Sequence, residues 1–203
     1  MAIKIFFSWA YSVMKPAVTI STVLVAAVAL VACRTTYQRR DPTGERFPTV
    51  TGTALDDAQL TIPQDLSGRK VLLFVGYKME TQFDIDRWLL GLYEAKIAVE
   101  VYELPTISGL IPGLFSGSID DGMRSGIPSE DWAIVVTIYR DARTVEQFLG
   151  NENPLPARVV LLDESGDVLF FHDRGYSLAS LLRLNETLDK AFKDDNEAPP
   201  ARD

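Results

Sequence analysis

The chain has 203 residues, 47% of them apolar, with 20 Lys plus Arg against 28 Asp plus Glu, one His and one Cys. That length holds one domain of about 150 residues plus an extension, and the composition is globular, neither disordered throughout nor collagen-like. A formal charge of −8 argues against a nucleic-acid binder, and a single Cys and a single His exclude an internal disulfide, a CxxC pair and a metal site built from several thiolates or imidazoles, so neither metal nor cofactor is expected.

The N-terminus carries Lys4 and Lys15 and no acid, then the apolar run Ala17 to Ala32, AVTISTVLVAAVALVA, which stops at Cys33. A basic stretch followed by an apolar run shorter than the ~20 residues of a permanent span reads as a secretion signal over residues 1–32. Its end, Leu30-Val31-Ala32-Cys33, resembles the bacterial lipobox, with a Leu three before the Cys and a small residue just before it. The resemblance implies cleavage before Cys33, acylation of that residue and a lipid-anchored protein of the cell envelope facing the periplasm; an uncleaved membrane anchor is the alternative. Several acyl chains anchor stably where one does not. Arg34 stands where an Asp favours inner-membrane retention in some bacteria, which leans the expectation toward the outer membrane.

Residues 33–46 contain RTTYQRRDPTGER, polar and without apolar period, and read as a flexible tether whose Arg34, Arg39, Arg40 and Arg46 are available to anionic headgroups. Residues 47–192 alternate strand-like and helix-like segments. Lys70 to Tyr77, KVLLFVGY, predicts a central strand covered on both faces. Glu80 to Ala95 predicts a helix with Ile85, Trp88, Leu89 and Leu92 in its apolar stripe, and Ile97 to Leu104 a second, parallel strand. Further on, Trp132 to Tyr139 reads as a strand and Asp141 to Leu149 as a short helix capped by Asp141. Arg158 to Leu162 and Val168 to Phe171 form a hairpin through Asp163, Glu164, Ser165 and Gly166. Ser177 caps a helix over Leu178 to Phe192, and residues 193–203 form a charged tail expected to be disordered.

The order βαβ then ββα, with Phe47 to Leu66 leading through Gly68 and Arg69 into VLLFVGY, resembles peroxiredoxin-type and membrane-tethered thioredoxin-like proteins. The resemblance implies a thioredoxin-like α/β/α sandwich with a mixed central sheet. Members of that family carry a reactive thiol at the start of the helix after the first central strand, where the helix N-terminus stabilises a thiolate. Here that stretch is Lys78 to Phe83, KMETQF, without cysteine, so thiol exchange and peroxide reduction are not expected. The family's cis-proline before the penultimate strand has Pro156, then Pro154, as candidates. The Val159 to Phe171 rhythm is also similar to the thioredoxin-like domain of the mitochondrial ATP synthase assembly factors, which implies an assembly role.

His172, beside Asp173 and Arg174, is the residue suited to acid–base chemistry near neutrality, although no nucleophile is readable opposite it. Ser116 lacks a nucleophile elbow, and the carboxylate pairs Asp56-Asp57, Asp120-Asp121, Asp163-Glu164 and Asp194-Asp195 lack calcium-loop spacing. The stretch Pro105 to Pro128 is long for a connection. Its Ile107, Leu110, Ile111, Leu114 and Phe115 suggest a partner-contact loop, with packing on the sheet as the alternative. The expectation is a membrane-attached, protein-binding lipoprotein rather than an enzyme; the rival is a non-thiol enzyme with its site near His172 and the 105–128 loop.

Overall fold

The computed structural model describes residues 35–109 and 112–197, with side chains omitted at 112–115 and 194–197; the signal segment and Cys33 lie outside the described residues. The folded unit begins at Tyr37. Strands β1 (Val50–Ala54) and β2 (Gln59–Ile62) form an antiparallel hairpin with Val50 opposite Ile62. Strand β3 (Val71–Gly76), helix α1 (Gln82–Glu94) and strand β4 (Glu100–Pro105) form the parallel βαβ unit. Helix α2 (Pro112–Gly126), strand β5 (Val136–Thr137) and helix α3 (Ala142–Leu149) follow. The chain closes with β6 (Arg158–Leu162), β7 (Val168–His172) and α4 (Leu178–Glu197).

One sheet has the order β4-β3-β6-β7, with β6 antiparallel to both neighbours; the other has the order β2-β1-β5. Single parallel bridges, Glu103 to Val135 and Thr106 to Ile138, run alongside β4 beside β5. Every residue of β3 is buried because both faces are covered. Its Val71, Leu73 and Val75 pack with β1, β2 and Val145 and Leu149 of α3, whereas Leu72 and Phe74 pack with Ile85, Trp88 and Leu92 of α1 and Leu181, Leu184 and Leu188 of α4. The expected stripe of α1 is thus the buried one, and only Leu89 of its four residues is partly exposed. Trp88 is fully buried, a position where truncation to Ala costs about 3–5 kcal/mol.

The hairpin turn forms as expected: Asp163 Oδ1 accepts the N–H groups of Ser165 and Asp167, both at 2.8 Å, and Gly166 sits at φ 90°. Ser177 and Ser180 cap α4 reciprocally, each backbone N–H donating to the other's hydroxyl at 3.0 and 3.1 Å. The same helix continues to Glu197, so it takes in the first residues of the stretch read as a tail.

Other expectations are corrected. Only Val136–Thr137 of the Trp132 to Tyr139 segment is strand, and Ser129–Ile134 is a 3-10 helix. The Trp132 indole donates to the Ile127 carbonyl at 3.0 Å, and its own carbonyl accepts the Leu55 N–H at 3.1 Å, which turns the chain instead of extending it. Asp141 precedes α3 without capping it, because its Oδ2 accepts the N–H and hydroxyl of Thr51, each at 2.8 Å. The cis peptide is Ile62-Pro63, not one before Pro154 or Pro156.

The Pro105 to Pro128 stretch is mostly the helix α2. Four glycines weaken its intrinsic propensity, and tertiary bonds hold it. Arg124 donates to the Leu55 carbonyl at 2.7 Å and to Asp57 at 2.6 Å, and Tyr139 donates to Asp120 at 2.7 Å.

The expected tether is docked from Tyr37 onward. Tyr37 and Asn151 exchange hydrogen bonds of 2.7 and 3.1 Å. Gly44 donates to the Val168 carbonyl, and Val168 donates to that of Glu45, both at 2.9 Å. Gly150 makes room for this segment: at φ 75°, a Cβ there would stand 2.7 Å from the Gln38 carbonyl oxygen.

Candidate functional site

The end of the sheet where β3 and β7 finish and β6 begins gathers most of the buried polar side chains. Arg158 opens β6 opposite Val75 and is 2% exposed. Its guanidinium donates to the carbonyls of Gly150 at 3.2 Å, Pro156 at 2.7 Å and Asn153 at 2.6 Å, and lies 4.4 Å from the centroid of the Tyr77 ring. Burial lowers the Arg158 pKa and raises that of the Tyr77 phenol.

Asp84, in the first turn of α1, is the second organiser. Its Oδ2 accepts the Ala157 N–H at 3.0 Å and its Oδ1 the Tyr176 N–H at 2.7 Å, which ties α1 to the loops before and after the hairpin. Asp173 is the third: buried itself, it accepts the Arg39 guanidinium at 2.6 and 2.8 Å, and this hydrogen bond raises the Arg39 pKa. Between these groups lies a cleft of about 240 Å³ lined by Arg39, Glu152, Asn153, Arg158, Asp173 and Arg174.

His172 is buried at the end of β7. Nε2 contacts the Gly175 carbonyl at 2.8 Å, Nδ1 the Arg183 guanidinium at 3.2 Å, and the ring meets Trp88 edge-on at 5.7 Å. A carbonyl on one nitrogen and a cation on the other select the neutral tautomer protonated at Nε2. Burial lowers the pKa in the same direction. Both nitrogens are therefore committed to the fold, and Ser116 lies in the second turn of α2.

The stretch Lys78 to Phe83, where the resemblance implies a thiol, holds a 3-10 turn, Met79–Thr81, leading into α1. Thr81 is 1% exposed and its hydroxyl donates to the Pro154 carbonyl at 3.5 Å. Of the residues expected to contact a partner, Ile107 is half-buried, with its N–H on the Ile138 carbonyl at 2.9 Å. Leu110 and Ile111 lie outside the described residues, as do the side chains of Leu114 and Phe115. Among the described residues no group of three His, Cys, Asp or Glu side chains is placed to hold a metal, and no helix is long and apolar enough to cross a membrane.

Arg158, Asp84 and Tyr77 were not singled out from sequence. Two of them left a trace: Asp84 lies four residues before Trp88 on the buried stripe, and Arg158 opens an otherwise apolar strand.

The sequence matches no protein-family model and no curated protein. Solved structures do match. BsSco, a member of the Sco family of cytochrome c oxidase assembly proteins, aligns with 76% of this chain and 98% of its own at TM-score 0.53 and 13% identity. A thiol peroxidase from Chromobacterium violaceum aligns with 77% of this chain and 91% of its own at TM-score 0.50 and 10% identity. The fold is thioredoxin-like. A SCO1/SenC family lipoprotein from Bacillus anthracis, covering 75% of this chain and 98% of its own, has TM-score 0.50 and 11% identity. At such identities the likeness is one of fold. Within this thioredoxin-like domain, the end of the sheet where β3 and β7 finish is closed by Thr81, Asp84 and Arg158, whose contacts described above join loops to one another.

Proposed function

We propose that the protein is a bacterial envelope lipoprotein, acylated at Cys33 and facing the periplasm, whose redox-inactive thioredoxin-like domain acts by binding another protein, in an assembly or scaffolding role. The observation that carries the reading is the stretch Lys78 to Phe83, where the resemblance implies a thiol and this chain has none, with Thr81 buried against the Pro154 carbonyl. The sequence supplies no second candidate, since its one cysteine ends the lipobox-like segment. Proteins sharing the fold include an assembly protein and a lipoprotein, so an anchor joined to this fold for assembly has parallels. The partner-contact residues of this proposal are Ile107, Leu110, Ile111, Leu114 and Phe115, the first of which follows β4 at the same end of the sheet.

The rival reading, an enzyme centred on His172, loses its acid–base group to Gly175 and Arg183. Metabolic labelling with a fatty acid, comparing the parent with Cys33→Ala, tests the anchor: the parent is labelled and the variant is not, and equal labelling of both sinks it. Crosslinking of the membrane-bound protein followed by mass spectrometry tests the binding role. One recurrent partner, reduced when Ile107→Asp is introduced, is the expected result, and no partner above background rejects it.

A further inference from the structure

We propose that the sheet end carrying Met79, Phe83, Leu155 and Leu178 rests directly on the bilayer that holds the anchor, with those side chains at the boundary between headgroups and acyl chains. The inference rests on the lipid anchor of the proposed function and adds a second, non-covalent membrane contact with a defined orientation.

The first observation is the length of chain between Cys33 and Tyr37. The stretch 33–46 read as a tether, but the domain takes hold of it at Tyr37, through Asn151, and again at Arg39, through Asp173. Tyr37 is the fourth residue after Cys33. Four residue steps span at most about 14 Å when fully extended, so the domain cannot stand off from the membrane, and the surface around Tyr37 is the part nearest to it.

The second observation is what that surface exposes. Met79 is 91% exposed, Phe83 69%, Leu178 64% and Leu155 54%. They belong to one end of the molecule because Asp84, next to Phe83, bonds Ala157 and Tyr176, while Thr81, two residues beyond Met79, bonds Pro154. Leu155 follows four residues after Asn151, the partner of Tyr37. Among the described residues the other exposed large apolar side chains, Leu90, Tyr93, Leu182 and Phe192, lie further along α1 and α4; the four at this end suit an interface that is apolar beneath and polar above.

The third observation is charge. The chain as a whole is at −8, yet at this end Lys78, Arg174 and Arg39 balance Glu80, Glu152 and Asp173. An anionic membrane surface therefore meets a locally neutral one, whereas much of the remaining surface would be repelled. The three together favour the bilayer as occupant over a protein partner, because the tether brings the membrane to this surface without any partner being present.

The test uses the full-length protein purified from membranes and reconstituted into phosphatidylethanolamine–phosphatidylglycerol (7:3) vesicles. A single cysteine is added as Leu155→Cys or Leu178→Cys, with Ala98→Cys at the opposite end of the sheet as control, and labelled with an environment-sensitive fluorophore; acylated Cys33 takes no label. The expected result is several-fold stronger quenching by a headgroup-attached quencher at 155 and 178 than at 98, with the order reversed for aqueous iodide. Equal iodide quenching at all three positions, in protein that floats with the vesicles, overturns the docking alone. Failure of the parent to float, or labelling of its Cys33, overturns the acylated-anchor reading and this proposal with it. Labels that are exposed on protein-free vesicles but shielded in native membranes assign the surface to a membrane protein and overturn the bilayer as its occupant.

Discussion

The guanidinium of Arg158 lies 4.4 Å from the centroid of the Tyr77 ring, and both side chains are buried at the sheet end where β3 and β7 finish and β6 begins. The pair closes that end: the cation stacks on one aromatic face while its N–H groups hold the carbonyls of Gly150, Asn153 and Pro156.

Replacing Arg158 with Met preserves bulk but leaves three carbonyls without their donor. The expected loss is about 3 kcal/mol of unfolding free energy, read from urea titration. Arg158→Lys recovers less than half of it, because a single ammonium cannot span three carbonyls and stack on the ring. A loss below about 1 kcal/mol for Met would show that the guanidinium is not the keystone of the loop.

Gly150→Ala tests the docking of the N-terminal segment. A methyl group at φ 75° would meet the Gln38 carbonyl oxygen at 2.7 Å and the Arg39 Cα at 3.1 Å, backbone atoms that a rotamer change cannot move aside. The segment through Arg39 and Arg40 is expected to detach, so limited trypsinolysis there accelerates several-fold while cleavage at Lys96 is unchanged. Unaltered cleavage at Arg39 and Arg40 refutes the tight docking.

Asp84→Asn keeps size and removes one acceptor. Asp84 serves the Ala157 and Tyr176 N–H groups with separate oxygens; the amide turns an N–H toward one of these donors. About 2 kcal/mol of stability is expected to be lost, and hydrogen exchange at Ala157 and Tyr176 should quicken more than exchange in the middle of β3.

The pH dependence of stability should carry the signature of His172. Burial lowers its pKa in the folded state below the ordinary imidazole value of about 6.5, so the unfolded chain takes up the proton first. The associated stability is fully present above about pH 6.5 and falls as the pH drops through the unfolded value toward the folded one. His172→Gln removes this component. Between pH 7.5 and 5.5 the urea midpoint of the parent should therefore fall more than that of the variant, and parallel curves would contradict the burial of a neutral imidazole.

Much of the fold was legible because its signals are local. Continuous apolar runs marked β3 and β6, the Ile85, Trp88 and Leu92 spacing marked the buried face of α1, and Asp163 with Gly166 marked the hairpin turn. Two local readings failed where a distant group intervened: Asp141 was drawn from capping α3 to Thr51, and α2 formed despite its glycines because Leu55, Asp57 and Tyr139 bind it from outside.

The sequence by itself determined the element order, the single cysteine at the end of an apolar run and the lack of any thiol between β3 and α1, since these are matters of residue identity and short-range period. Tertiary structure alone decided that the stretch after Thr36 is held down and that Arg158, Asp84 and Asp173 close one end of the sheet. Arg39 and Asp173 stand 134 residues apart, and Tyr37 and Asn151 are separated by 114. A polar residue in a charged linker reads alike whether water or a buried carboxylate awaits it, and only the completed sheet brings the carboxylate within reach.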